Sequence, residues 1–125
     1  MMRIGDYMTR QPWSVQEDDS IGVARQMMAQ REIHHLPVLD GKELVGVLTD
    51  RDLVAASQRV GVTVEQVMTA TALRVDIDTP LDDVLERMID RRSDAVLITA
   101  DGDVAGIFTA NDAVRVLRDV LHHRS

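Results

Sequence analysis

The chain contains no cysteine, which removes disulfides, thiol nucleophiles and thiolate metal centres from consideration. Large aromatics are nearly absent too: Tyr7, Trp13 and Phe108 stand alone, so the core must be aliphatic, with seven methionines as adaptable filler. Cations are outnumbered, 14 Lys and Arg against 21 Asp and Glu, for a formal net charge of −7. Such a surface repels phosphate backbones and anionic lipid, so neither nucleic acid nor membrane is an expected partner, although local donors can still hold a small anion. No stretch approaches the roughly 18 to 20 apolar residues of a membrane span, and Met1-Met2-Arg3-Ile4-Gly5-Asp6 lacks the apolar run of a signal peptide. A cytoplasmic protein is the expectation. With 45% hydrophobic and 28% charged residues, the 125-residue chain has the balance of a folded protein, one domain or two half-sized units sharing a core.

What is present is repetition. Gly46-Val47-Leu48-Thr49-Asp50-Arg51-Asp52 returns sixty residues later as Gly106-Ile107-Phe108-Thr109-Ala110-Asn111-Asp112. At the same offset Met8-Thr9 falls on Met68-Thr69, Val15 on Val75, Asp18 on Asp78 and Met28 on Met88, without a gap. The chain is a duplication.

Each copy reads alike. Thr63-Val64-Glu65-Gln66 has capping-box spacing and predicts a short helical turn before Met68-Thr69. Extended segments are expected around Pro12 to Gln16 and Ala72 to Ile77. Thr79-Pro80-Leu81-Asp82 offers an N-cap, a proline at the first helical position and an acid at N3. Leu81, Val84, Leu85, Met88 and Ile89 then form one predicted buried face, matched loosely by Ile21, Ala24, Met27 and Met28. Two strands follow each helix, joined at Asp40-Gly41 and Asp101-Gly102. Pro37 cannot donate to a ladder, which predicts a strand edge or bulge there. A last helix begins at Thr49 or Thr109, the first ending near Gly61, the second carrying Ala113, Val116, Leu117, Val120 and Leu121 at helical spacing. Each unit would leave an apolar sheet face that it cannot cover alone. Two copies packed sheet to sheet about a pseudo-two-fold axis would cover both.

The openings Tyr7-Met8-Thr9 and Val67-Met68-Thr69, the run His35-Leu36-Pro37-Val38-Leu39-Asp40, and the endings GVLTDRD and GIFTAND carry a resemblance. Each repeat resembles a cystathionine β-synthase (CBS) domain, and the two together resemble a Bateman module. The resemblance implies an α+β fold of two tandem β-α-β-β-α repeats, over 1–58 and 64–125 with a linker at 59–63. It implies two pseudo-symmetric clefts binding AMP, ADP, ATP, S-adenosylmethionine or NAD species, and homodimerisation. It further implies a regulatory role towards a partner enzyme or transporter, here as a stand-alone pair with no catalytic domain fused.

Thr-x-x-Asp has the spacing of a capping box, and capping alone accounts for Thr49, Asp52, Thr109 and Asp112. The same geometry also suits a ligand. A helix N-terminus presents free N–H groups to phosphate, a threonine hydroxyl adds a donor, and a carboxylate accepts from both ribose hydroxyls. The resemblance gives the aspartates the ribose and the threonines the phosphate, with Thr9, Arg10, His34, His35, Pro37 and Arg51 as further ligand-binding candidates. The copies differ around these positions. His34 is matched by Asp94, Arg10 by Ala70, Arg51 by Asn111, and the second copy lacks the proline. Unequal sites follow, with the Asp52 site the better one; whether Arg10 serves the other cleft stays open.

Other candidates carry less. His34 and His35 are adjacent on a predicted strand and point to opposite faces, so they do not chelate one metal together. His122 and His123 lie near the C-terminus and are expected to be solvated. No metal site and no catalytic constellation stand out. Trp13 suits stacking on an adenine, a dimer contact or edge packing. The leading expectation is a non-enzymatic regulatory module that binds an adenosine nucleotide. The alternative is a ligand-free dimerising scaffold.

Overall fold

A computed structural model describes residues 1–124. Its strands and helices are β1 (Thr9–Arg10), β2 (Val15–Gln16), α1 (Ile21–Arg31), β3 (His35–Asp40), β4 (Glu43–Thr49), α2 (Asp50–Ala55), β5 (Arg74–Asp76), α3 (Leu81–Arg91), β6 (Ala95–Ala100), β7 (Asp103–Thr109) and α4 (Ala110–His123). Single 3-10 turns lie at Ile4–Asp6 and Val64–Gln66. The β-α-β-β-α order occurs twice, as expected from the repeat.

The chain condenses into two compact units that do not follow chain order. The first unit is Pro12–Ala72 with the hairpin tip Gly102–Val104; the second is Met1–Gln11, Leu73–Asp101 and the chain from Ala105 onward. Each unit thus borrows its opening arm from the far side of the other repeat.

In the first unit the sheet order is β2-β3-β4. β2 and β3 run parallel, as a crossover through α1 requires, and β3 and β4 are an antiparallel hairpin. Gly41 takes the positive φ (63°) that the turn demands. Val15, Ile21, Ala24, Met28, Leu36, Val38, Leu48 and Leu53 form the core. Pro37 is fully buried in the middle of the central strand; of the two expected settings, an edge or a bulge, it has the second, one residue before an irregularity in the ladder. It is tolerated because β2 pairs only with Val38 and Leu39, and the ladder shifts between those two residues. The arm of this unit returns after α2: Val64 N–H bonds the Asp19 carbonyl (2.8 Å), and Thr69 exchanges two backbone bonds with Val47 (2.9 and 3.0 Å).

In the second unit the order is β1-β7-β6-β5, and Phe108 is fully buried within an aliphatic core that includes Val84, Met88, Val96 and Ile98. Its arm is Met1–Gln11. Ile4 N–H bonds the Thr79 carbonyl (2.8 Å), Gly5 N–H the Ile77 carbonyl (3.0 Å), and β1 pairs with β7 through Thr9 opposite Ile107 and Arg10 opposite Gly106. This arm moves the start of α3. Pairing with Arg3 holds Pro80 extended (ψ 140°), so Pro80 becomes the N-cap and the helix starts at Leu81 rather than one residue earlier. Leu81, Val84 and Met88 are buried as predicted and Leu85 is half-buried, but Ile89 is 74% exposed at the edge of the stripe.

Both middle helices end identically. Glu32 and Arg92 adopt left-handed conformations (φ 54° and 52°), and the next N–H returns to the carbonyl of Met28 or Met88 (3.2 and 3.0 Å). This is a Schellman closure on a residue other than glycine.

Candidate functional site

Two carboxylate seats lie at equivalent places, one inside each unit. In the first unit β4 runs directly into α2, and Thr49 caps that helix. Asp52 N–H donates to Thr49 Oγ1 (3.1 Å), and Thr49 N–H donates to Asp52 Oδ2 (3.0 Å). The returning arm lays Thr69 over the junction, and its hydroxyl reaches both carboxylate oxygens at 3.4 Å. The second unit repeats the box between Thr109 and Asp112, with Thr109 N–H donating at 2.9 Å and Asp112 N–H returning at 3.3 Å. There the arm brings Thr9, whose hydroxyl reaches Asp112 Oδ1 at 3.5 Å.

The glycine that opens each motif has its reason here. A Cβ on Gly46 would stand 2.8 Å from the Thr69 carbonyl oxygen, and one on Gly106 would stand 2.7 Å from that of Thr9 and against the Met8 side chain. No side chain fits where the arm crosses the strand. Gly, Thr and Asp of the motif, together with the Met-Thr of the opposite repeat, are therefore one construction.

The seats differ in what else touches the acid. Asp112 is 7% exposed. Its Oδ2 also accepts from the Thr109 hydroxyl (3.1 Å), and its Oδ1 is paired with the Arg115 guanidinium at 3.3 Å. Asp52 is half-buried, and three residues on stands Ala55, which offers no charge. Asp52 Oδ1 is met by the Thr69 hydroxyl, at 3.4 Å. That oxygen keeps capacity for a diol.

The helix N-terminus offers less to a phosphate than the sequence suggests. The first N–H of α2, from Asp50, bonds the His34 carbonyl (3.1 Å), and the third is taken by Thr49. In α4 the Ala110 N–H likewise bonds the Asp94 carbonyl (2.9 Å). α2 is also only six residues long, so little macrodipole accumulates.

The remaining candidates are placed as follows. His34 precedes β3 instead of lying on the strand, and its Nδ1 is 3.1 Å from Asp50 Oδ2, both side chains being exposed. It lines an open groove of about 580 Å³ between α1 and α2, together with Met28, Leu53 and Val54, a groove that does not include Asp52. His35 is half-buried at the start of β3, opposite Thr49 in the ladder. Pro37 lies in the core, where it shapes the strand and presents no surface. Arg51 is exposed on the first turn of α2. Arg10 belongs to the unit of Asp112, and its guanidinium donates to the Gly5 carbonyl (3.0 Å). The cationic asymmetry read from the sequence therefore does not follow the repeats. Trp13 is 51% exposed with the Arg31 guanidinium 4.0 Å over its ring.

Thr69 and Arg115 are the residues that sequence reasoning missed. The offset of sixty maps Thr9 onto Thr69, so that signal was present. Arg115 falls on Ala55, which carries no charge, and the repeat therefore gave no signal for it. Among the described residues no group of acids and histidines is arranged to hold a metal, and no helix is long and apolar enough to cross a membrane.

A family model described as "CBS domain" matches residues 4–59 and again 64–119. Of solved structures, CBSX2 from Arabidopsis thaliana, in complex with AMP, is 28% identical with a TM-score of 0.86, covering 96% of this chain and 98% of that one. The CBS domain pair of protein MJ0100, in complex with 5-methylthioadenosine and S-adenosyl-L-methionine, is 26% identical with a TM-score of 0.87, covering 95% and 98%. Inosine-5'-monophosphate dehydrogenase of Thermoplasma acidophilum is 30% identical over 106 residues, 84% of this chain and 21% of that protein. The chain spans only 21% to 24% of the length of the first curated relatives it matches.

Proposed function

The chain belongs to the CBS-domain family as a tandem pair, or Bateman module, of these non-catalytic regulatory domains, and we propose that it senses an adenosine-containing ligand at its Asp52 seat. The observation that carries this reading is the half-buried carboxylate of Asp52, anchored by a capping box at Oδ2 and met at Oδ1 by the Thr69 hydroxyl. A carboxylate anchored at one oxygen, with acceptor positions left over at the other, accepts from two vicinal hydroxyls, the distinguishing group of ribose. The complexes of CBSX2 with AMP and of the MJ0100 pair with S-adenosyl-L-methionine support this ligand class. AMP, ADP, ATP and S-adenosylmethionine are the members to test. Occupancy shifts the population of module conformations, and a regulated enzyme or transporter reads that shift as energy or metabolite state.

A second reading has an observation of its own. On α4, Val114, Leu117 and Leu121 are 63%, 58% and 56% exposed at spacings of three and four, an apolar stripe that the described residues leave uncovered. A homodimer that covers this stripe serves either a sensor or a ligand-free scaffold.

Thermal melts with the four ligands separate the two readings. A ligand at about a hundredfold over its Kd contributes about 2.7 kcal/mol, on the order of 5 to 15 °C. The sensor predicts such a rise for at least one ligand and its loss in Asp52→Ala. A flat panel from a chain that sediments at twice its mass leaves the scaffold.

A further inference from the structure

We propose that Arg115 is a built-in occupant of the second seat, so that a module with two equivalent carboxylates offers only one to ligand. The inference rests on the reading that these carboxylates take a ribose, and it assigns which of them is available and why.

Both acids are anchored inward alike, their Oδ2 accepting the N–H of the capping threonine. The difference is at Oδ1. In the second seat the guanidinium of Arg115 lies on that oxygen at 3.3 Å and the Thr9 hydroxyl lies at 3.5 Å. The Thr109 hydroxyl adds a further bond at Oδ2. A carboxylate has about four acceptor positions, and four donors now stand around this one. A ribose diol arriving there finds its acceptors taken and a cation where its own hydroxyl hydrogens would point.

The geometry is set by the helix. Asp112 and Arg115 are three residues apart on α4, close enough for the fork to fold back on the acid. The equivalent position in the first repeat is Ala55, the last residue of α2, with nothing to fold back. Arg115 is itself 60% exposed while Asp112 is nearly enclosed, so the arginine covers the acid from the solvent side. It occupies the direction from which a ligand enters. The duplicated seat persists because it caps α4 and holds the arm, and its ribose function is closed by one residue of the same helix.

The test is isothermal titration of the full chain with AMP and with S-adenosylmethionine, in wild type, Arg115→Ala and the reciprocal graft Ala55→Arg. Arg115 and Ala55 are both exposed, and a melt of each variant checks that it is folded. Wild type is expected to bind one ligand per chain, Arg115→Ala two, and Ala55→Arg to lose the wild-type site. One site in both wild type and Arg115→Ala overturns the proposal and leaves the functional reading intact. Two comparable sites in wild type do the same, as does unchanged binding by Ala55→Arg. If only Arg115→Ala binds, the role of Arg115 stands and the functional reading moves from Asp52 to Asp112. If no variant binds either compound, both fall.

Discussion

Asp52 and Asp112 descend from the same position of one ancestral repeat and make the same capping box, yet one is half open and the other is enclosed beneath an arginine. In the first unit Oδ2 takes the capping N–H, and the Thr69 hydroxyl reaches both oxygens at 3.4 Å. In the second, both oxygens are engaged by the chain itself. The lesson is that both copies keep the capping box, while what surrounds the acid on its outer side has diverged. What a capping box needs, a threonine and an acid at N3, is local and hard to replace. What a ligand needs is an empty direction, and a single outward residue removes it.

The comparison is broken most directly by removing each acid in turn. Asp112→Ala leaves the Thr109 cap in place but removes the acceptor of the half-buried Thr109 N–H, a loss of about 1 to 2 kcal/mol. Asp52→Ala removes the same acceptor from the more open seat, where water can replace it. Urea denaturation is expected to show a loss of about 1 to 2 kcal/mol for Asp112→Ala against less than about 1 kcal/mol for Asp52→Ala, while titration shows the opposite order for ligand. Equal stability losses would mean that the two seats are structurally alike after all.

Next come the glycines beneath the arms. Gly46→Ala and Gly106→Ala each place a methyl under 3 Å from backbone of the crossing arm, and each is expected to cost about 1 to 3 kcal/mol. Gly106→Ala should be the worse, because there the arm is a paired strand, whereas at Gly46 it makes one bridge. Hydrogen exchange at Thr9 and Thr69 reads the effect directly, and an unprotected Thr69 beside a protected Thr9 in the glycine variants would reverse the ranking.

The smallest effect belongs to Glu17, in the first unit. Burial, then the charges of Glu65, Asp40, Asp18 and Glu43, raise its pKa above the ordinary 4.5. A carboxyl whose folded pKa is raised burdens the fold above that raised value, and the burden disappears as pH falls below the unfolded one. Glu17→Gln is therefore expected to raise the melting temperature slightly at neutral pH, with the gain gone near pH 4. A gain that persists in acid would assign it to packing.

The element order was legible because each signal is local: the hairpin turns at Asp40-Gly41 and Asp101-Gly102, the helical stripe from Leu81 to Met88, and the boxes at Thr49 and Thr109. The exchange of arms was not, since a bond between Thr9 and Asp112 links positions 103 apart and leaves no periodicity behind. One clue did exist. Gly46 and Gly106 stand inside strands where no turn demands them, which is the mark of a close backbone approach. Misplacing the start of β3 by one residue put His34 on a strand, when its side chain instead meets Asp50 in the α1–α2 groove. Arg115 was not legible because an exposed arginine one turn into a helix looks like any solvated surface charge, and its counterpart Ala55 gives it no repeat signature.

The exchanged arms also set an order of events during synthesis. The first unit lacks its arm until Thr69 has been made, and residues 1–11 wait still longer, because their partner strand β7 and the acid at Asp112 come about a hundred positions later. At roughly 5 to 20 residues per second, that delay is on the order of 5 to 20 s. Throughout it Ile4 and Met8, both buried in the finished protein, have no pocket to enter. The second unit closes only when the earliest residues of the pair meet the latest, so neither repeat is a finished object before the other has been translated.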